Sequence, residues 1–155
     1  MKSKITLVTG LWDIGRGELE DFGRSFEHYI ESFDKLLGLD VKFHIYCDKA
    51  LYKSMALGLN LSKLKVTIKE KEEFKTWFPL WDQVQKSRTN SEWYRQADWL
   101  MKSPQAKLEY YNPIVMSKYF MLHDAALTNH FGSEYLFWID AGITNTVNLD
   151  VLQGI

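Results

Sequence analysis

The chain is 155 residues long, 46% hydrophobic and 25% charged, with a formal net charge of −1. That length suits one domain able to bury roughly 70% of its unfolded surface, and the near-neutral charge argues against a general nucleic-acid binder, which carries a basic face. No run of 18 apolar residues offers a transmembrane helix. The opening Met1-Lys2-Ser3-Lys4 lacks the features of a signal peptide, and the single cysteine, Cys47, excludes an internal disulfide and suits a reducing cytoplasm.

Ile5-Thr6-Leu7-Val8-Thr9 is a β-branched run that predicts a buried strand ending at Gly10. Residues 10–17 carry three glycines and no apolar period, so they read as a loop. Phe22, Phe26, Tyr29, Ile30, Phe33, Leu36 and Leu37 recur at three- and four-residue spacing, the apolar stripe of a helix that Gly38 stops. Residues 41–46 predict a second strand, ending in Cys47-Asp48; a short helix is expected over 50–57 and a third strand over 64–68. Strand, helix, strand, helix, strand implies a parallel sheet with crossover helices. Strands that are apolar throughout suit a sheet covered on both faces.

No strand is expected between Ile68 and Tyr135. Residues 70–77, 81–87 and 91–101 read as short helices. A longer helix begins at Asn112 as its cap, with Pro113 in the first turn, and runs to about His130, where Phe131-Gly132 ends it. Tyr135 to Ile139 then predicts a fourth, buried strand that delivers Asp140. The residues from there to Gly154-Ile155 suggest no closing helix or strand, which reads as a domain truncated at its C-terminus. No repeat, low-complexity segment or linker interrupts a single domain over 1–155.

Asp140 is the leading candidate for function. A carboxylate at the exit of a buried strand is expensive to desolvate without a partner, and Ala141-Gly142 after it lets something approach the backbone. Strand one is expected to end at Thr9-Gly10 and strand two at Asp48. In a parallel sheet these ends share one edge with Asp140, the edge where open α/β sheets bind ligands. Arg16, in the glycine loop, suits a phosphate. Lys118 opposes the macrodipole near the start of its helix, which an anionic partner would offset.

Known phosphate cradles are absent. Gly10, Gly15 and Gly17 do not form G-x-G-x-x-G, and no G-K-[ST] occurs. Asp13-Ile14-Gly15-Arg16-Gly17 matches the D-x-G-x-G of class I methyltransferases, although three residues separate it from the first strand. His28, His44, His123 and His130 do not pair at metal-ligand spacing, and Cys47 reads as a buried structural thiol rather than a nucleophile. No G-x-S-x-G supports a serine hydrolase. Aromatics make up 15% of the chain, and Trp77, Phe78, Trp81, Trp93, Tyr94 and Trp99 crowd one stretch. They serve either as core or as stacking faces for a sugar.

Taken in order, Val8 to Gly17, the helix containing Tyr29, Tyr46-Cys47-Asp48, Tyr111-Asn112-Pro113 through Lys118, and Phe137-Trp138-Ile139-Asp140-Ala141-Gly142 resemble the HtrL/YibB (WlaTC-like) family, bacterial proteins regarded as candidate glycosyltransferases. The resemblance implies a GT-A-like, Rossmann-like α/β fold: a mostly parallel sheet with flanking helices, binding a nucleotide-sugar at its carboxyl edge. It implies a donor-binding set of Thr9, Gly10, Arg16, Asp48, Lys118 and Asp140. Asp140 would be the first acid of a D-x-D motif that holds Mn²⁺ or Mg²⁺. Gly142 stands where the second acid would be, so Asp140 either binds metal with water filling the gap or contacts the sugar or ribose directly.

The implied reaction moves a sugar from the donor to a hydroxyl of a glycan or other acceptor, as in lipopolysaccharide or oligosaccharide biosynthesis. The expected location is the cytoplasm, including the inner surface of the membrane. Two alternatives stand beside it: a degenerate or truncated nucleotide- or glycan-binding domain without turnover, and an S-adenosylmethionine-dependent methyltransferase using Asp13 to Gly17.

Overall fold

A computed structural model describes residues 4–55 and 60–154. The strands are β1 (Ile5–Leu11), β2 (Lys42–Cys47), β3 (Leu64–Ile68) and β4 (Tyr135–Trp138). The helices, in chain order, are α1 (Phe26–Leu37), α2 (Lys49–Met55), α3 (Phe74–Trp77), α4 (Trp81–Arg88), α5 (Ser91–Tyr94), α6 (Pro104–Lys107), α7 (Tyr111–Met116), α8 (Lys118–Thr128) and α9 (Leu149–Leu152). Contacts divide the chain into two compact units. The first takes the described residues of 1–12, 27–70 and 119–155, the second 13–26 and 71–118.

The first unit is built on one sheet, all parallel, in the order β3-β2-β1-β4. This is the α/β, Rossmann-like architecture that the alternation of strands and helices predicts. Val8 lies beside His44 of β2 and Trp138 of β4, and Gly10 beside Tyr46. Side chains alternate along a strand, so Val8, Gly10, His44 and Tyr46 share one face and Leu7, Thr9 and Phe43 the other.

On the Tyr46 face the phenol donates to Asp124 of α8 at 2.6 Å, and Met121 and Ala125 of the same helix are fully buried. On the opposite face Leu7 shares a cavity with Leu39, just beyond α1, and with Leu152 of α9. Phe33 and Leu36 of α1, together with Val8, Phe43, Ile45 and Tyr46, form the dry core. Covering both faces explains why β1 and β2 are apolar throughout.

Several boundaries differ from expectation, each for a physical reason. β1 runs past Gly10 to Leu11. β4 is an edge strand, with Tyr135 52% and Phe137 50% exposed and their rings stacked at 6.4 Å, so it is half-exposed rather than buried. Phe22 lies outside α1, at a φ of 60° and edge-on to Trp99.

The long helix expected from Asn112 is two helices. Buried Ser117 stands between them, its hydroxyl bonded to the carbonyl of Pro113 at 2.6 Å, a back-bond that bends or interrupts helices. α7 starts before Asn112, which is therefore no cap; its amide donates instead to the Gln105 carbonyl at 2.8 Å. The helix expected over 91–101 reduces to α5 and a 3-10 turn at Leu100–Lys102. Beyond it Ser103 caps the short α6, with Pro104 in its first turn.

A closing helix does exist: α9, capped by Asn148 and anchored by buried Leu152. α2 is described as Lys49–Met55, and its expected end at Leu57 lies outside the described residues. Among the described residues no helix is long and apolar enough to cross a membrane.

Candidate functional site

The exits of β2, β1 and β4 lie side by side on the carboxyl edge of the first unit. Asp140 follows β4 by two residues. Its carboxylate is exposed, and Oδ1 accepts a 2.7 Å hydrogen bond from the Trp138 indole. Residues two apart in extended chain point the same way, so Trp138 orients this acid. Asp140 is thus a solvated, aimed carboxylate, because the strand that delivers it is an edge; the desolvation cost expected for it does not arise.

The loop behind Asp140 is fixed by the buried Ser32 and the half-buried Thr144 hydroxyls. The Ile143 N–H closes a turn onto the Asp140 carbonyl at 3.0 Å. Ser32 of α1 donates to the Ala141 carbonyl at 3.3 Å, its hydroxyl lies 2.6 Å from that of Thr144, and Thr144 donates to the Ser32 carbonyl at 3.0 Å. A Cβ at Gly142 would stand 3.3 Å from the Tyr29 ring, so a side chain there would need that ring to shift by a few tenths of an ångström. Close packing against α1 thus favours a small residue at the position where a D-x-D motif carries its second acid. Ser32 and Thr144 are not singled out by the sequence, and Trp138 and Tyr29 lie in the matching stretches without an assigned role. Only the Trp-x-Asp spacing offered a signal.

Asp48 lies two strand positions from Asp140, about 10 Å across the sheet. It is half-buried and caps α2, its Oδ1 accepting the Leu51 N–H at 2.7 Å, which is the turn role such a residue commonly has. Glu70 stands beside it and accepts the Lys49 N–H at 3.1 Å. Thr9 and Gly10 lie within β1 rather than at its end. Thr9 is fully buried, and its hydroxyl has no partner among the described residues.

Gly10 lies inside β1 under the Trp12 indole. A Cβ there would fall 2.7 and 2.8 Å from two ring carbons and 3.2 Å from the Tyr46 carbonyl. Trp12 in turn donates to the Lys69 carbonyl at 2.7 Å. The missing side chain at Gly10 is filled by Trp12, so neither Thr9 nor Gly10 offers a side-chain atom to the edge.

Cys47, fully buried, has its thiol pushed up to about 12 by burial first, then by Asp48 and Glu70. It is a structural thiol. Iodoacetamide is expected to leave it unmodified in the folded protein at neutral pH and to alkylate it after unfolding in urea, as mass spectrometry would show.

Arg16 and Lys118 belong to the second unit. Arg16 donates to the Phe22 carbonyl at 3.3 Å, and its guanidinium lies 5.7 Å from the centre of the Tyr111 ring. In the same loop Asp13 accepts the Gly15 N–H at 3.0 Å and Lys71 donates to the Asp13 carbonyl at 3.2 Å. The carboxylate expected of a methyltransferase loop is thus engaged in its own turn. Lys118 is half-buried at the start of α8.

The aromatic cluster separates into pairs. Trp77 packs edge-on to Phe74, Trp81 tilts over Tyr110 and Trp99 meets Phe22, while Phe78 is fully buried. Trp93 lines a groove instead.

No group of three or more His, Cys, Asp or Glu able to hold a metal occurs among the described residues. Asp140 accepts a hydrogen bond from the Trp138 indole.

A parallel sheet of order β3-β2-β1-β4, flanked by helices, with acids at its carboxyl edge, defines a Rossmann-like α/β protein. The chain belongs to the HtrL_YibB family: the model of that family, described as a bacterial protein of unknown function, matches residues 3–153. No curated protein and no solved structure matches the chain.

Proposed function

We propose that this protein is a GT-A-like glycosyltransferase that binds a nucleotide-sugar at the carboxyl edge of its sheet. The observation that supports this reading best is Asp140: an exposed carboxylate, oriented by Trp138 and held on a loop fixed by Ser32 and Thr144. A rigid acceptor of hydrogen bonds at a parallel-sheet edge suits the hydroxyls of a ribose or a sugar. Asp48, half-occupied by its capping bond, serves the nucleoside through its remaining oxygen.

In the reaction an acceptor hydroxyl oxygen bonds to the anomeric carbon while the bond from that carbon to the diphosphate breaks. The nucleoside diphosphate leaves with the electron pair, and the hydroxyl proton passes to a base. Departure of a diphosphate requires positive charge nearby. Arg16 and Lys118 carry charge of the sign that role needs.

Calorimetric titration with a panel of UDP- and GDP-sugars, with and without Mn²⁺, tests the reading. Asp140→Asn keeps an oxygen for the Trp138 indole, so the melting temperature is expected to stay unchanged while donor affinity falls about tenfold. An unchanged affinity in the variant removes Asp140 from the site. Binding of S-adenosylmethionine with none of the nucleotide-sugars overturns the reading altogether.

A further inference from the structure

The second unit contains a groove of about 340 Å³, within the range of small-molecule sites, which begins near 300 Å³. Three helices line it. α4 contributes Gln83, Val84, Ser87 and Arg88, two pairs at a spacing of four that share a helix face. α7 contributes Asn112 and Met116 at the same spacing, and α5 contributes Trp93.

The polar groups are held in place before any ligand arrives. Arg88 donates through Nε to Gln85 at 2.9 Å and through Nη1 to the Ala106 carbonyl at 2.8 Å, which holds the guanidinium while leaving N–H groups on Nη1 and Nη2 as donors. The amide nitrogen of Asn112 is bound to the Gln105 carbonyl at 2.8 Å, which leaves its oxygen as an acceptor. Gln83 and Ser87 are exposed and add a flexible amide and a hydroxyl at the rim.

We propose that this groove is a saccharide subsite for a neutral pyranose. An indole beside an aliphatic and a thioether side chain offers a face for the C–H side of a sugar ring. The fixed donor on Arg88 and fixed acceptor on Asn112 match hydroxyls, each of which donates and accepts. An anion would favour more than one cation, and among the described residues Arg88 is the one cation lining the groove. If the protein transfers a sugar, as proposed above, this is a site for its acceptor; only that last assignment rests on the transferase reading.

The test is a ¹H–¹⁵N titration with methyl β-glucopyranoside, methyl β-galactopyranoside and methyl N-acetyl-β-glucosaminide, with sodium phosphate as the anionic control. At least one glycoside is expected to shift the Trp93 indole and Asn112 amide signals with a Kd on the order of 1 mM. Trp93→Ala should weaken it at least tenfold, and Trp93→Phe should retain part of the affinity. Circular dichroism controls for folding.

No shift of those signals at roughly fifty times that concentration, or a response to phosphate and to no glycoside, overturns the proposal. Nucleotide-sugar affinity, read on the same samples through its loss in Asp140→Asn, reports on the transferase reading separately, so either can fail while the other stands.

Discussion

Gly10→Ala is expected to destabilise the protein by about 2 kcal/mol, which lowers the melting temperature by roughly 4–8 °C for a chain of this size. The new methyl group would stand under 3 Å from two carbons of the Trp12 ring. That ring cannot simply turn away, because it is buried and its nitrogen is bonded to the Lys69 carbonyl. Alanine recovers part of the backbone entropy that glycine loses on folding, but only about 0.5–1 kcal/mol.

A double-mutant cycle supplies the check. With Trp12→Ala already present, adding Gly10→Ala should have little further effect or a small stabilising one. If Gly10 were bare in order to admit a ligand, Gly10→Ala would instead leave thermal stability unchanged and reduce binding.

Acid is expected to destabilise the fold by an amount of about 3 kcal/mol between pH 6.5 and pH 4, through His44. Its imidazole is buried in the sheet, bonded to the Thr67 hydroxyl at 2.8 Å and stacked on Tyr46 at 4.8 Å. Burial lowers its pKa to about 4, with Lys65 and His130 adding to the shift and Asp124 opposing it. In the unfolded chain the same group titrates near 6.5. Between these values the unfolded state binds the extra proton. The contribution is therefore complete above pH 6.5 and is lost progressively as pH falls towards 4. Urea unfolding across this range should show the loss, and His44→Gln should flatten it even though removing the stacked ring lowers stability at neutral pH. An unchanged slope in His44→Gln would assign the acid sensitivity to other groups.

The sheet was legible because its central strands have both faces covered, which leaves a continuous apolar run in the sequence. β3 coincides with the predicted 64–68, and β2 is shifted by one residue. What failed depended on distant partners. The run from Tyr135 to Ile139 looks like a buried strand, yet burial is decided by which strands lie beside it, and among the described residues β4 has a neighbour only in β1. Gly10 looks like a strand end because nothing local reveals that Trp12, two residues on, folds back over it. The break at Ser117 depends on that hydroxyl being buried, which helix periodicity does not encode. At the site, Asp140 and Asp48 were found through their position after strands. Ser32, which with Thr144 fixes the Asp140 loop, comes from α1 more than a hundred residues earlier, and no local pattern joins them.

The pairing of β1 with β4 sets a timetable for synthesis. Ile5 lies beside Tyr135, and the Thr6 and Ser133 hydroxyls meet at 2.8 Å across 127 residues. A ribosome adding about 5–20 residues per second needs roughly 6–26 s to cover that interval. During that time one side of the sheet's central strand faces the cell with its peptide groups unpaired. Non-local pairing of this kind also slows the search for the native state. The edge of β1 that β4 covers thus stays open for longer during synthesis than the chain's modest length would suggest.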